Sequence, residues 1–233
     1  MVRKLMILLA IALAVPALAA ANSIDVTVDA AMGNSSSSAC GVAGAGCGLS
    51  VFVDDTATTP ATLAYVQSDH MTNETAVRFS FYINAESASG FTMPGGLNIR
   101  VGRVFDPGNG TKMVWFLKRN FNETSWRFAI YSLREGVGNF QFAGEGFLSN
   151  SANDTPIRVD IEWTAATTPN NGIIRAFRTL DQPGATPTLM FENLALENQG
   201  AVLNSLQFGL PSTAQFNGTF GEFYLDEVVI SRL

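Results

Sequence analysis

Asp160 and Glu162 stand two residues apart in the run Ile157-Arg158-Val159-Asp160-Ile161-Glu162-Trp163, between apolar neighbours. In an extended strand both point to one face, their carboxyl groups about 6 to 7 Å apart, while Val159, Ile161 and Trp163 point to the other. That separation is close to the range of about 6.5 to 9.5 Å over which two acids flank a glycosidic bond, one protonating the leaving oxygen and one activating water. The same alternation supports a plainer account, an outward strand face on which Arg158 offers the acids a charge partner. The second account is the expectation here, with the pair solvated and not catalytic.

Other residues could do chemistry of a different kind. Trp115, Trp126 and Trp163 are candidate platforms for the apolar face of a sugar ring, competing in each case with a role in the core. Trp163 alternates with Val159 and Ile161 and is expected inside, whereas Trp126 follows the polar run Asn120 to Ser125 and is expected to be the most accessible. Tyr82, on the polar side of its strand, and Tyr131 are further ligand-binding candidates. His70, the sole histidine, sits beside Asp69 in a polar stretch; no spacing identifies a nucleophile for it, so it is read as an ordinary loop residue. Asn-x-Ser/Thr triplets begin at Asn34, Asn73, Asn109, Asn122, Asn153 and Asn217 and are read as unused, because the leader described next has a bacterial character.

That leader places Arg3 and Lys4 before an apolar run from Leu5 to Val15, then Pro16 and a series of small residues. This is the pattern of a secretory signal peptide over 1–21, and the run is too short for a spanning helix of about 20 residues. The expected mature chain, 22–233, is exported to the periplasm or the extracellular space without stable insertion in a membrane. The whole sequence has 14 basic and 20 acidic residues, net charge −6, and loses two cations with the leader. Such a surface repels phosphate backbones, so nucleic acid is not an expected partner. In an oxidising compartment Cys40 and Cys47, the two cysteines, are expected to form a disulfide closing a Gly-Ala loop, worth about 2.5 kcal/mol by chain entropy.

What must position all of these is a set of strands. Period-two runs cover 24–29, 49–54, 62–67, 77–84, 97–105, 112–118, 126–133, 157–163, 173–180, 203–209 and 220–230, with no sustained helical period. Asp106 to Thr111 and Pro169 to Gly172 have the composition of hairpin turns. In the run from Val77 to Asn84, Phe79, Phe81 and Ile83 form the core face and Arg78, Ser80, Tyr82 and Asn84 the outer one. With 17 phenylalanines to fill a core, the reading is all-β: one antiparallel two-sheet sandwich domain that needs no cofactor for stability.

Residues Ile157 to Arg232 strengthen this. A strand ending in Trp163, a turn at Asn170-Asn171-Gly172, the strand end Arg178-Thr179-Leu180-Asp181, the loop Glu192 to Asn198, the strand Leu206-Gln207-Phe208-Gly209 and a last strand carrying Asp226-Glu227 resemble the C-terminal half of concanavalin A-like, laminin-G-like jelly-roll domains. The resemblance implies a jelly roll and a polysaccharide or surface glycan as partner. Glucanases of this superfamily carry a Glu-x-Asp-x-Glu pattern, but Arg158 stands where the first acid would be, so their hydrolytic site is incomplete. Related carbohydrate-binding modules imply a structural calcium ligand at Asp226, while Gln182 replaces the glycine usual after Asp181. The functional expectation is a non-catalytic carbohydrate-binding module. The alternatives are a glycosidase or polysaccharide lyase with an unrecognised site, or an outer-membrane or surface structural protein.

Overall fold

The computed structural model describes residues 24–28, 35–37, 48–54, 64–68, 71–85, 90–122, 124–150, 155–211 and 218–233. The leader, both cysteines and His70 lie outside the described residues. The strands are β1 (Ile24–Val28), β2 (Ser35–Ser37), β3 (Gly48–Asp54), β4 (Ala64–Ser68), β5 (Ala76–Asn84), β6 (Asn98–Phe105), β7 (Thr111–Arg119), β8 (Ser125–Leu133), β9 (Phe140–Asn150), β10 (Ile157–Thr164), β11 (Gly172–Leu180), β12 (Thr188–Leu196), β13 (Ser205–Leu210) and β14 (Phe220–Arg232). They form two seven-stranded sheets, ordered β1-β4-β13-β6-β7-β8-β9 and β12-β11-β10-β5-β14-β3-β2, and every pairing is antiparallel. This is the two-sheet jelly-roll sandwich that the alternation predicts. Among the described residues no helix is long and apolar enough to cross a membrane.

The core lies between the sheets and is built by inward alternation. From β5, Phe79, Phe81 and Ile83 are buried, and from β10, Val159, Ile161 and Trp163. Phe81 is the joint of the sandwich: its ring stacks on Trp115 of β7 at 5.5 Å and meets Phe208 of β13 at 4.4 Å and Phe128 of β8 at 5.9 Å. Both expected hairpins form. Asp106 accepts the Gly110 amide at 2.7 Å between β6 and β7, and Asn170 adopts a φ of 60° between β10 and β11, where asparagine tolerates the left-handed region.

Three strands carry no sequence signal of their kind: β2, β9 and β12. In β9 the glycines at 144 and 146 resemble a loop, yet each is a packing position. A β-carbon on Gly144 would lie 2.1 Å from the Phe191 ring, and one on Gly146 would lie 2.5 Å from Met190 Cβ. The edge strands β9 and β12 therefore close one side of the sandwich by bringing large side chains of one onto bare backbone of the other.

Candidate functional site

The outer faces of the two sheets both carry arginines and tyrosines, in different states. On the first sheet, β6 contributes Arg100 and Arg103. Three residues apart, they would face opposite sides of a regular strand, but a bulge opposite β7 shifts the register between Arg100 and Gly102. Val101 and Gly102 both turn inward, where the Trp115 indole covers Gly102, and the two arginines emerge on the same outer face. Across the sheet from Arg103 run Gln207 of β13 and Gln67 of β4 on one side, Val114 of β7 and Tyr131 of β8 on the other. Arg103 donates to Gln207 Oε1 at 3.0 Å and to the Pro211 carbonyl at 3.4 Å, and Gln207 donates to Gln67 Oε1 at 3.0 Å.

Among the described residues no carboxylate pairs with Arg100 or Arg103. The Nε of each is buried without a hydrogen-bond partner. Burial lowers the Arg100 guanidinium from its ordinary value and the charge of Arg103 adds to the effect; burial also lowers Arg103, with Tyr65 acting in the opposite sense. A groove of about 210 Å³ beside this pair is lined by Asn98, Arg100, Phe116, Lys118, Tyr131 and Phe140, among others. Arg100 lies over the Phe116 ring, and Tyr131 makes edge contacts with Phe116 at 5.5 Å and Phe142 at 5.3 Å. Lys118 and Arg127 are held by Glu145. Burial alone would raise the Glu145 carboxyl, but the hydrogen bonds from Lys118 and Arg127 outweigh it and keep it below its ordinary value.

On the second sheet, Asp160 and Glu162 do point outward, but into a groove of about 510 Å³ and not into open solvent. Asp160 is only 9% exposed, a correction to the expected wet face. The cause is lateral cover: Ser80 Oγ donates to Asp160 at 2.5 Å, Arg158 Nη2 donates to it at 3.0 Å, and Arg78, directly across the β5–β10 register, pairs with Glu162. Each acid thus has an arginine as its charge partner. Tyr82 borders the same groove; burial raises its phenol, and Asp181 adds to the shift.

The remaining candidates separate. Trp126, expected to be accessible, is fully buried: it shares the inward side of β8 with Phe128 and stacks on Phe91 at 5.3 Å, which leaves no ring face for a ligand. Tyr131 is on the outer face of the first sheet. Asp226 is buried beside a bulge in β14 and accepts the Glu227 amide at 2.8 Å. Among the described residues no group of three or more His, Cys, Asp or Glu side chains is placed to hold a metal.

No protein-family model matches this chain, and no curated protein sequence does. Solved structures do. The sandwich is similar to that of the marine PL-14 alginate lyase from Aplysia kurodai, with a TM-score of 0.54, 12% identity, and coverage of 86% of this chain and 87% of that one. It is similar also to the alginate lyase from Klebsiella pneumoniae, with a TM-score of 0.50, 9% identity, and coverage of 80% and 82%. At such identity the likeness establishes the jelly-roll fold. Both of those proteins are alginate lyases, so the expectation of a non-catalytic binding module is corrected: the structures this sandwich is similar to speak for the polysaccharide lyase alternative and against that expectation. Arg100, Arg103, Tyr65, Gln67 and Gln207 come from three strands and form no contiguous motif, so patterns of paired acids or triads do not reveal the cluster.

Proposed function

We propose that this protein is a polysaccharide lyase acting on a uronic acid polymer at the outer face of β4, β13, β6, β7 and β8. The observation that carries the reading is the arginine pair, half-buried and, among the described residues, without a carboxylate partner, in a chain of net charge −6. Keeping two such guanidiniums side by side disfavours the free protein, and an incoming carboxylate would relieve that cost. Arg forks match carboxylates bidentately.

The chemistry follows from the substrate's own carboxylate. Pairing it with Arg100 and Arg103 withdraws charge and acidifies the adjacent C5–H bond. A base takes that proton, the electron pair forms the C4=C5 bond, the C4–O4 bond breaks, and O4 leaves with a proton. Two phenols are available, Tyr131 in the groove with Arg100 and Tyr65 on the far side of Arg103. Gln67 and Gln207 hold Arg103 in position through their hydrogen-bonded chain. Such an enzyme would meet its polymer outside the cytoplasm, which fits a leader at 1–21. Incubating the chain with alginate and following the ultraviolet absorbance of the new C4=C5 bond tests the proposal: a steady rise supports it, and a flat trace with alginate and other uronate polymers refutes it.

A further inference from the structure

We propose that the groove on the outer face of β5, β10 and β11 is a second saccharide site, and that it takes a neutral pyranose chain. Its volume, about 510 Å³, lies within the range of about 300 to 1,000 Å³ of small-molecule sites. Nothing in the proposed elimination uses it, since it belongs to the other sheet.

The pairing of its charges selects the ligand. Arg78 and Arg158 are engaged by Glu162 and Asp160, and Asp181 at the rim adds another negative charge. A uronate carboxylate would approach these guanidiniums beside acids that already neutralise them, and would meet Asp181. A sugar hydroxyl, which donates and accepts, has partners without displacing anything. Among the described residues the second carboxylate oxygens of Asp160 and Glu162 accept no hydrogen bond, and Thr179 Oγ, which lines the groove, is buried without a partner. An unsatisfied hydroxyl in that position is costly, and a ligand hydroxyl satisfies it. The apolar side of the ring has surfaces to cover in Tyr82, Phe177 and Pro187. A groove of fixed acceptors and a buried unpartnered hydroxyl, flanked by aromatic surface, suits a neutral polyol and not an anion.

This inference is independent of the lyase reading, and calorimetric titration of the full chain separates them. The probes are neutral gluco-, manno- and galacto-hexasaccharides and a uronate hexasaccharide. At least one neutral hexasaccharide should bind. Tyr82→Ala should weaken that binding about tenfold, and the near-isosteric Thr179→Val, which preserves the fold, should weaken it several-fold. Arg100→Ala on the opposite sheet should leave it unchanged. Binding of none of the three neutral probes overturns the proposal, as does binding that is indifferent to Thr179→Val or lost with Arg100→Ala. Uronate binding that disappears with Tyr82→Ala would overturn the choice of a neutral ligand, whatever the outcome of the turnover assay.

Discussion

The outer faces of the two sheets use the same cation in opposite ways. On the second sheet Arg78 stands directly across from Glu162, and Arg158 lies two residues from Asp160 on one strand, so register pairs the first guanidinium and alternation along the strand the second. On the first sheet the residues across from Arg100 and Arg103 are Phe116, Val114 and Gln207, none of which carries charge. Arginine count does not distinguish the faces. Pairing does, and pairing follows from which residues the strand register sets opposite one another.

The largest effect should strike both faces together. Phe81 ties β5 to β7, β8 and β13, and Phe81→Ala should destabilise the fold by about 3 to 5 kcal/mol in denaturant melts. If only one face were lost in that variant, the sheets would not share a single core. At the seam between β9 and β12, Gly144→Ala should cost about 1 to 3 kcal/mol, because its methyl group would enter the Phe191 ring.

Two substitutions sharpen the contrast itself. Asp160→Asn removes the acid from a buried pair and should cost about 1 to 3 kcal/mol, since it weakens the Arg158 interaction in a covered site. Arg100→Met, by contrast, removes a half-buried cation that has no carboxylate partner among the described residues and should be neutral or stabilising by up to about 1 kcal/mol. Equal destabilisation by both would erase the distinction between the faces.

A smaller, pH-dependent effect concerns Glu145, which holds Lys118 and Arg127 on the same face. Its folded pKa is depressed, so its contribution to stability is present above the ordinary value of 4.5 and is lost as pH falls through the lower folded value. The stability difference between the wild type and Glu145→Gln should therefore be constant near neutrality and shrink in acid. A difference that grew in acid would reverse the sign of the shift.

The core and most strands were legible because inward Phe79, Phe81, Ile161 and Trp163 obey a strict period of two. The same rule places Trp126 inside with Phe128 and Ile130; the polar run before it was the misleading signal. Strand β9 was hidden because Gly144 and Gly146 serve contacts with β12 that no local pattern reveals. The arginine pair was hidden by the bulge: spacing of three in a strand means opposite faces unless a residue is inserted, and the insertion depends on Trp115 lying over Gly102. The carboxylate pair was conspicuous in sequence, and its confinement by Ser80 and Arg78 came from a strand 80 to 84 residues away.

The most direct measurement is turnover of alginate by the wild type, Arg100→Ala and Arg175→Ala, followed by absorbance of the unsaturated product. Arg175 is an arginine of the second sheet paired with Glu192. With the arginine pair as carboxylate clamp, the wild type should generate the C4=C5 bond, Arg100→Ala should lose about 100- to 1,000-fold in kcat/KM, and Arg175→Ala should match the wild type. Wild-type turnover in folded Arg100→Ala would contradict the account.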